Sequence, residues 1–139
     1  MGQLSMSPSE RDAFLADLHV GVLAIERADG PPLIAPIWYR YQDGVVEMTV
    51  AAKGLKARAL GPAARASLCV QREAYPYAYV TVEGPVAFTE ATRELRLDIA
   101  SRYLGPEIGE AYVTDTDGGD ATALVLTPET WRTVDYAKS

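Results

Sequence analysis

Apolar and polar positions alternate along most of this chain, and the alternation marks out strands. Val20 to Ile25 is an apolar, partly β-branched run suited to a buried strand, and Asp29-Gly30-Pro31-Pro32 ends it with turn chemistry. Leu33 to Tyr41, mixing aliphatic and aromatic residues, predicts a second strand. Asp43-Gly44 is a two-residue hairpin signal, after which Val46, Met48 and Val50 alternate with Val45, Glu47 and Thr49. Arg65 to Arg72 predicts a fourth strand and Tyr77 to Phe88 a fifth. In the fifth, Ala78, Val80, Val82 and Val86 share one face, Tyr77, Tyr79, Thr81 and Glu83 the other, and Gly84-Pro85 bends it. Ala121 to Thr127 is the sixth.

Helical spacing interrupts this pattern. Ser7-Pro8-Ser9-Glu10 has the form of a capping box with proline at the first helical position, and Phe14, Leu15 and Leu18 follow as an apolar stripe. Ala51 to Leu60 favours a short helix stopped by Gly61-Pro62. Thr92 to Tyr103 carries Leu95, Ile99, Arg102 and Tyr103 at helical spacing and stops at Gly105-Pro106. Asp115 to Asp120 is expected to be an exposed polar loop. Helices placed between the third and fourth strands and between the fifth and sixth do not alternate as βαβ units do. The expected architecture is therefore mainly β, a six-stranded antiparallel barrel with a few short helices, in one domain spanning residues 1–139.

Composition narrows the chemistry. The 139 residues are 48% hydrophobic and 23% charged, enough for one real core. A net charge of −6 argues against nucleic acid or an anionic membrane as the main partner, since either rewards a basic face. One cysteine, Cys69, excludes an internal disulfide, and with one histidine, His19, no Cys/His zinc site can be assembled. Cys69 is expected to be a buried small hydrophobe, and His19 has no placed partner for a triad. Asp115, Asp117 and Asp120 lack the later glutamate of a calcium loop. With no export signal and no membrane-length apolar run, cytoplasm is the expected location.

Against this acidic background Lys53, Lys56 and Arg58 lie within one short segment. On residues alone the cluster fits either a solvated helix face or an anion site at a helix start.

The order of these pieces resembles the pyridoxamine-phosphate-oxidase-like split-barrel family. Val20-Gly21-Val22-Leu23-Ala24, Asp29-Gly30-Pro31, Pro36-Ile37-Trp38-Tyr39 and Asp43-Gly44 carry the first half of the resemblance. Lys56-Ala57-Arg58-Ala59-Leu60 with Arg65-Ala66-Ser67-Leu68, then Tyr77 to Gly84, then Trp131 to Tyr136, carry the rest. The tail and small size look most like the deazaflavin-dependent reductases of that family.

The resemblance implies a split barrel that binds coenzyme F420, with an oxidoreductase dependent on flavin mononucleotide (FMN) and a non-catalytic flavin- or haem-binding carrier as the alternatives. It implies a homodimer with the cofactor between its subunits, and hydride transfer to a small electron-poor substrate such as an enone or quinone-like acceptor. Lys53, Lys56, Ala57 and Arg58 would then hold phosphate, Thr49, Val50 and Ala51 would run beside the ring, and Ile37 and Trp38 would border it. Tyr77, Tyr79 and Trp131 would form the interface and the cofactor wall of the neighbouring subunit. No residue is assigned to catalysis, because the cofactor does the hard step. Where relatives carry Asn and a basic-Asp-Pro-Arg run, this chain has Ala59 and Gly61-Pro62-Ala63-Ala64-Arg65, which implies a weaker phosphate hold.

Overall fold

The computed structural model describes residues 2–60 and 64–139. Among the described residues eight strands form, against the six expected. In chain order the elements are α1 (Pro8–Ala16), β1 (Gly21–Arg27), β2 (Gly30–Ile37), β3 (Tyr39–Gln42), β4 (Val45–Ala51), α2 (Leu55–Ala59), β5 (Arg65–Arg72), β6 (Ala78–Glu90), α3 (Arg93–Leu104), α4 (Pro106–Asp115), β7 (Ala121–Leu126) and β8 (Thr130–Asp135).

Two features account for the difference in strand number. The run from Leu33 to Tyr41 breaks at Trp38 into β2, which pairs with β1, and β3, which pairs with β4. The segment after β7 returns as β8 alongside β6. All pairings are antiparallel and the order is β2-β1-β5-β6-β7-β4-β3, with β8 added on β6. The terminal strands β2 and β3 do not pair with each other. They are joined covalently at Trp38, so the barrel is split and its sheet is not closed.

The 13-residue β6 serves both halves, pairing with β5 from Ala78 to Pro85 and with β7 from Val86 to Glu90. The Gly84-Pro85 step marks that change of partner. A Cβ on Gly84 would lie 1.8 Å from the Thr127 carbonyl oxygen, so the crossing of the two chains requires glycine. Asp43, with φ of 55°, and Gly44, with φ of 77°, make the β3–β4 turn in the left-handed conformation that a tight hairpin needs.

Alternation fills the barrel with Leu23, Ile25, Leu68, Val70, Val80, Val82, Met48 and Leu124, each essentially inaccessible. Each such burial stabilises the fold by roughly 1.5–3 kcal/mol relative to exposure. Of the adjacent aromatics, Tyr39 points inward and its hydroxyl donates to the Leu15 carbonyl at 2.7 Å. Trp38 faces the other way. Helix α1, started by the Ser7–Glu10 capping box, packs against the barrel through Leu15. Cys69 is a correction: it is half-buried, because Leu68 and Val70 on either side take the inward positions of β5.

The helices also depart from expectation. Strand β4 continues to Ala51, so the helix expected over 51–60 shrinks to the five residues of α2. Its expected stop, Gly61-Pro62, lies outside the described residues. Helix α3 begins on Thr92, whose hydroxyl accepts from the Leu95 N–H, and stops at Gly105. The chain then folds straight back as α4, which the sequence did not suggest. Gly109 allows the return, since a Cβ there would sit 2.8 Å from the Ser101 backbone nitrogen. No helix among the described residues is long and apolar enough to cross a membrane.

Candidate functional site

A cleft of about 630 Å³ opens where α3 and α4 lean over the outer side of β4 and the β2–β3 joint. Alternation along β4 turns Val46, Met48 and Val50 into the core, which leaves Thr49 to face the cleft. Trp38, at the strand break, forms an aromatic wall with Ile37 beside it. Lys56 enters from α2, while Arg96, Ile99 and Ala100 come from α3 and Tyr112 from α4. The volume and the mix of apolar walls with a few charged groups suit a small planar ligand.

The wall on the helical side is held firmly. Leu95 and Ile99 pack with Ala123 against Trp38 and Tyr103. Arg40, buried on β3, donates to Glu47 on β4 at 2.9 Å and to Glu94 and Asp98 on α3 at 2.7 and 2.9 Å. These charge-assisted bonds lift its pKa further above the usual arginine value and pin α3 to the sheet. Trp38 stacks on Tyr103, which fixes the indole plane.

The loop that carries the cations is held by Asp120. Its carbonyl accepts from the Ala52 N–H at 2.7 Å and its carboxylate from the Lys53 N–H at 3.0 Å. Among the described residues Lys53, Lys56 and Arg58 form no ion pair, so their charges remain available to an anion. A five-residue helix contributes little dipole, which leaves the attraction to the side chains themselves.

Of the residues singled out from the sequence, Ile37, Trp38, Thr49 and Lys56 come together around the cleft. Val50 turns into the core, and Ala51, Lys53 and Arg58 are exposed along the neighbouring loop and α2, with Ala57 half-buried between them. Tyr77 and Tyr79 stand exposed at the start of β6 and do not line the cleft. Trp131 lies on the inner side of β8, with the Arg11 guanidinium 4.2 Å above its ring and Tyr41 at its edge. That places it among core-packing residues. Arg96, Tyr112 and Thr116 were not read from the sequence as site residues. A basic residue at helical spacing gives no signal of its own, and only the α3–α4 return brings these three together.

Behind the cleft two titrating groups are displaced by burial. The Tyr39 hydroxyl is pushed upward, chiefly by desolvation. His19, stacked on Phe14 at 4.5 Å, is pushed below its ordinary range, again chiefly by desolvation. Both favour the neutral form at neutral pH.

No family model and no curated protein matches the sequence. Solved structures do match the fold. The conserved hypothetical protein Rv2991 from Mycobacterium tuberculosis is 23% identical with a TM-score of 0.85, covering 99% of this chain and 90% of its own. An F420 reductase is 24% identical at a TM-score of 0.70, covering 87% and 94%. The FAD and haem binding protein from Mycobacterium smegmatis is 18% identical at 0.71, covering 94% and 72%. The chain thus shares the fold of these proteins, a split barrel found also in a putative pyridoxamine 5'-phosphate oxidase from Listeria innocua that is 17% identical at a TM-score of 0.64, covering 90% and 95%.

Proposed function

We propose that this protein is an oxidoreductase that holds coenzyme F420 in the cleft and passes a hydride between its ring and a small electron-poor organic molecule. The observation that carries the proposal is the convergence of Lys56, Thr49, Ile37 and Trp38, from separate elements, on one cleft. The likeness in fold to an F420 reductase supports the choice of coenzyme. If held there in its reduced form, the coenzyme would supply the hydride.

The chain's own residues bind and orient. Lys56 offsets phosphate charge, assisted by the exposed Lys53 and Arg58 at the cleft's edge. The plane of Trp38, fixed by Tyr103, gives a ring a flat wall, and the small Thr49 lets it approach the strand closely. Ile99 and Ala100 exclude water from the helical side. A haem carrier is the poorer reading, because His19 is stacked on Phe14 and Cys69 faces outward on β5, which leaves Tyr112 as the cleft-lining side chain of a type that ligates haem iron.

We further propose a homodimer. The outward rows Pro36–Val22–Cys69–Thr81 and Ile34–Ala24–Ser67–Glu83 run across β2, β1, β5 and β6; Ile34 and Val20 are at least half exposed, and Val20 and Pro36 line the cleft. A second copy laid on that face would bury this surface and extend the cleft wall.

Fluorescence titration of the purified protein with F420 and, separately, with FMN tests the function. Saturable F420 binding, lost on changing Lys56 and Arg58 together to Ala while apo-protein melting stays nearly unchanged, is the expected result. Preference for FMN would move the assignment to a flavin oxidoreductase, and binding of neither would overturn it. Sedimentation at micromolar concentration showing only monomer would refute the dimer.

A further inference from the structure

The cleft contains a second cation that cofactor phosphate does not account for. Arg96 projects from α3, on a different element from Lys56, and lines the same cavity. Its side chain is only 13% exposed. It is also held in place: one terminal nitrogen donates to the Thr116 hydroxyl at 2.7 Å and the Val113 carbonyl at 3.3 Å, and the other to Asp117 at 3.4 Å. The guanidinium has five N–H groups, so these three bonds leave two unused. Asp120 is the acidic residue lining the cavity, and its carboxylate accepts from the Lys53 backbone.

A purely structural arginine tying α4 to α3 needs its bonds to Val113, Thr116 and Asp117 and nothing more. This one, paired at 3.4 Å with the exposed carboxylate of Asp117, also lines a cavity with apolar walls, Ile99 and Ala100, where an ionic hydrogen bond is stronger than in open water. The aromatic rings Trp38 and Tyr112 border the same space. Cation, apolar floor and flat walls together fit a planar molecule that carries a carboxylate.

We propose that Arg96 anchors an acidic substituent of the acceptor substrate, so that the protein selects planar, carboxylate-bearing molecules over their neutral analogues. The proposal deepens the function above and rests on it for the reaction, though the binding site stands on its own geometry. The same anionic chemistry could come from an acidic tail of the cofactor, and the two sources behave differently under mutation.

The test uses benzoate and benzamide, alike in shape and differing in charge, titrated into the purified protein with tryptophan emission as the readout. Trp38 is the tryptophan that lines the cleft, and Trp131 packs against the core. Benzoate is expected to bind at least about tenfold more tightly than benzamide, in keeping with the strength of a charge-assisted hydrogen bond. Arg96→Gln should erase that preference while leaving F420 affinity within about twofold, and Arg96→Lys should keep part of it.

Thr116→Val, which releases the 2.7 Å restraint but keeps the charge, should weaken benzoate alone by a few fold, and covers the case in which Arg96→Gln does not fold. Equal binding of benzoate and benzamide by the unmodified protein would overturn the proposal, as would a preference that survives Arg96→Gln. So would loss of F420 binding in Arg96→Gln, which would give this cation to the cofactor tail. Benzoate binding is read without cofactor, so failure of the F420 assignment and failure of this site are separate results.

Discussion

The indole of Trp38 lies flat on the ring of Tyr103, with centroids 4.8 Å apart and planes within 7° of parallel. The same Tyr103 hydroxyl donates to the His19 carbonyl at 2.6 Å and accepts from the Tyr39 N–H at 3.2 Å. One side chain of α3 therefore fixes a cleft wall, the backbone at the strand joint and the entry to β1. Removing only the hydroxyl with Tyr103→Phe should cost about 1–2 kcal/mol in urea unfolding and leave ligand affinity nearly intact. Tyr103→Ala should cost more, about 2–4 kcal/mol, and shift Trp38 emission to the red. Equal losses for both variants would mean that the stack contributes nothing.

Arg40 is the second support of the helical wall, and its three carboxylates are more exposed than it is. Arg40→Met should destabilise the fold by about 1–3 kcal/mol, below the usual cost of breaking a fully buried pair, because Glu94 and Asp98 can turn to water. The variant should also show faster amide exchange in α3 than in β1. A change confined to the barrel strands would contradict that assignment.

Gly84 admits no side chain. With a Cβ only 1.8 Å from the Thr127 oxygen, Gly84→Ala must part β6 from the segment leading into β8. The bond from the Glu129 N–H to the Glu83 carbonyl, 2.8 Å long, would be strained with it. A loss of at least about 3 kcal/mol, or failure to fold, is expected by thermal melting. Wild-type stability in this variant would show that the crossing relaxes freely.

His19 sets a pH dependence. Burial lowers its folded pKa below the ordinary value of 6.5, so folding favours the neutral ring. The stability this provides is present above about pH 6.5 and is lost as pH falls through the unfolded value toward the folded one. Melting temperature should therefore fall between about pH 7.5 and pH 5.5, and His19→Phe, which can keep the stack on Phe14, should flatten the profile. An identical slope in the variant would assign the loss to other groups.

Much of the barrel was legible because its signals are local. The Ser7 capping box, the Asp43-Gly44 turn, the alternation from Ala78 to Val82 and the stop at Gly105 each depend on neighbours in sequence. The split at Trp38 was not legible, because no turn residue marks it. It arises from β2 and β3 finding different partners. Helix α4 was hidden for two reasons: Gly109 reads as a helix breaker, although close packing on Ser101 requires it, and Ile108 and Tyr112 are apolar yet exposed. Lys56 could be found from its basic neighbours. Arg96 could not, because its partners at 113–117 lie a full helical return away.

The strands β6 and β7 pair directly and antiparallel, so a tight turn would suffice to connect them. The chain instead inserts residues 91 to 120 between them, and those residues supply Arg96, Ile99, Ala100, Tyr112 and Thr116 to the cleft. The opposite side of the cleft, with Thr49 and Lys56, comes from β4 and α2, in another part of the chain. The two sides of the cleft are therefore written on different stretches of sequence, tied to each other through Asp120, Arg40 and Tyr103. A different hairpin transplanted at this junction would have to keep Glu94, Asp98, Tyr103 and Asp120 to leave the barrel unchanged.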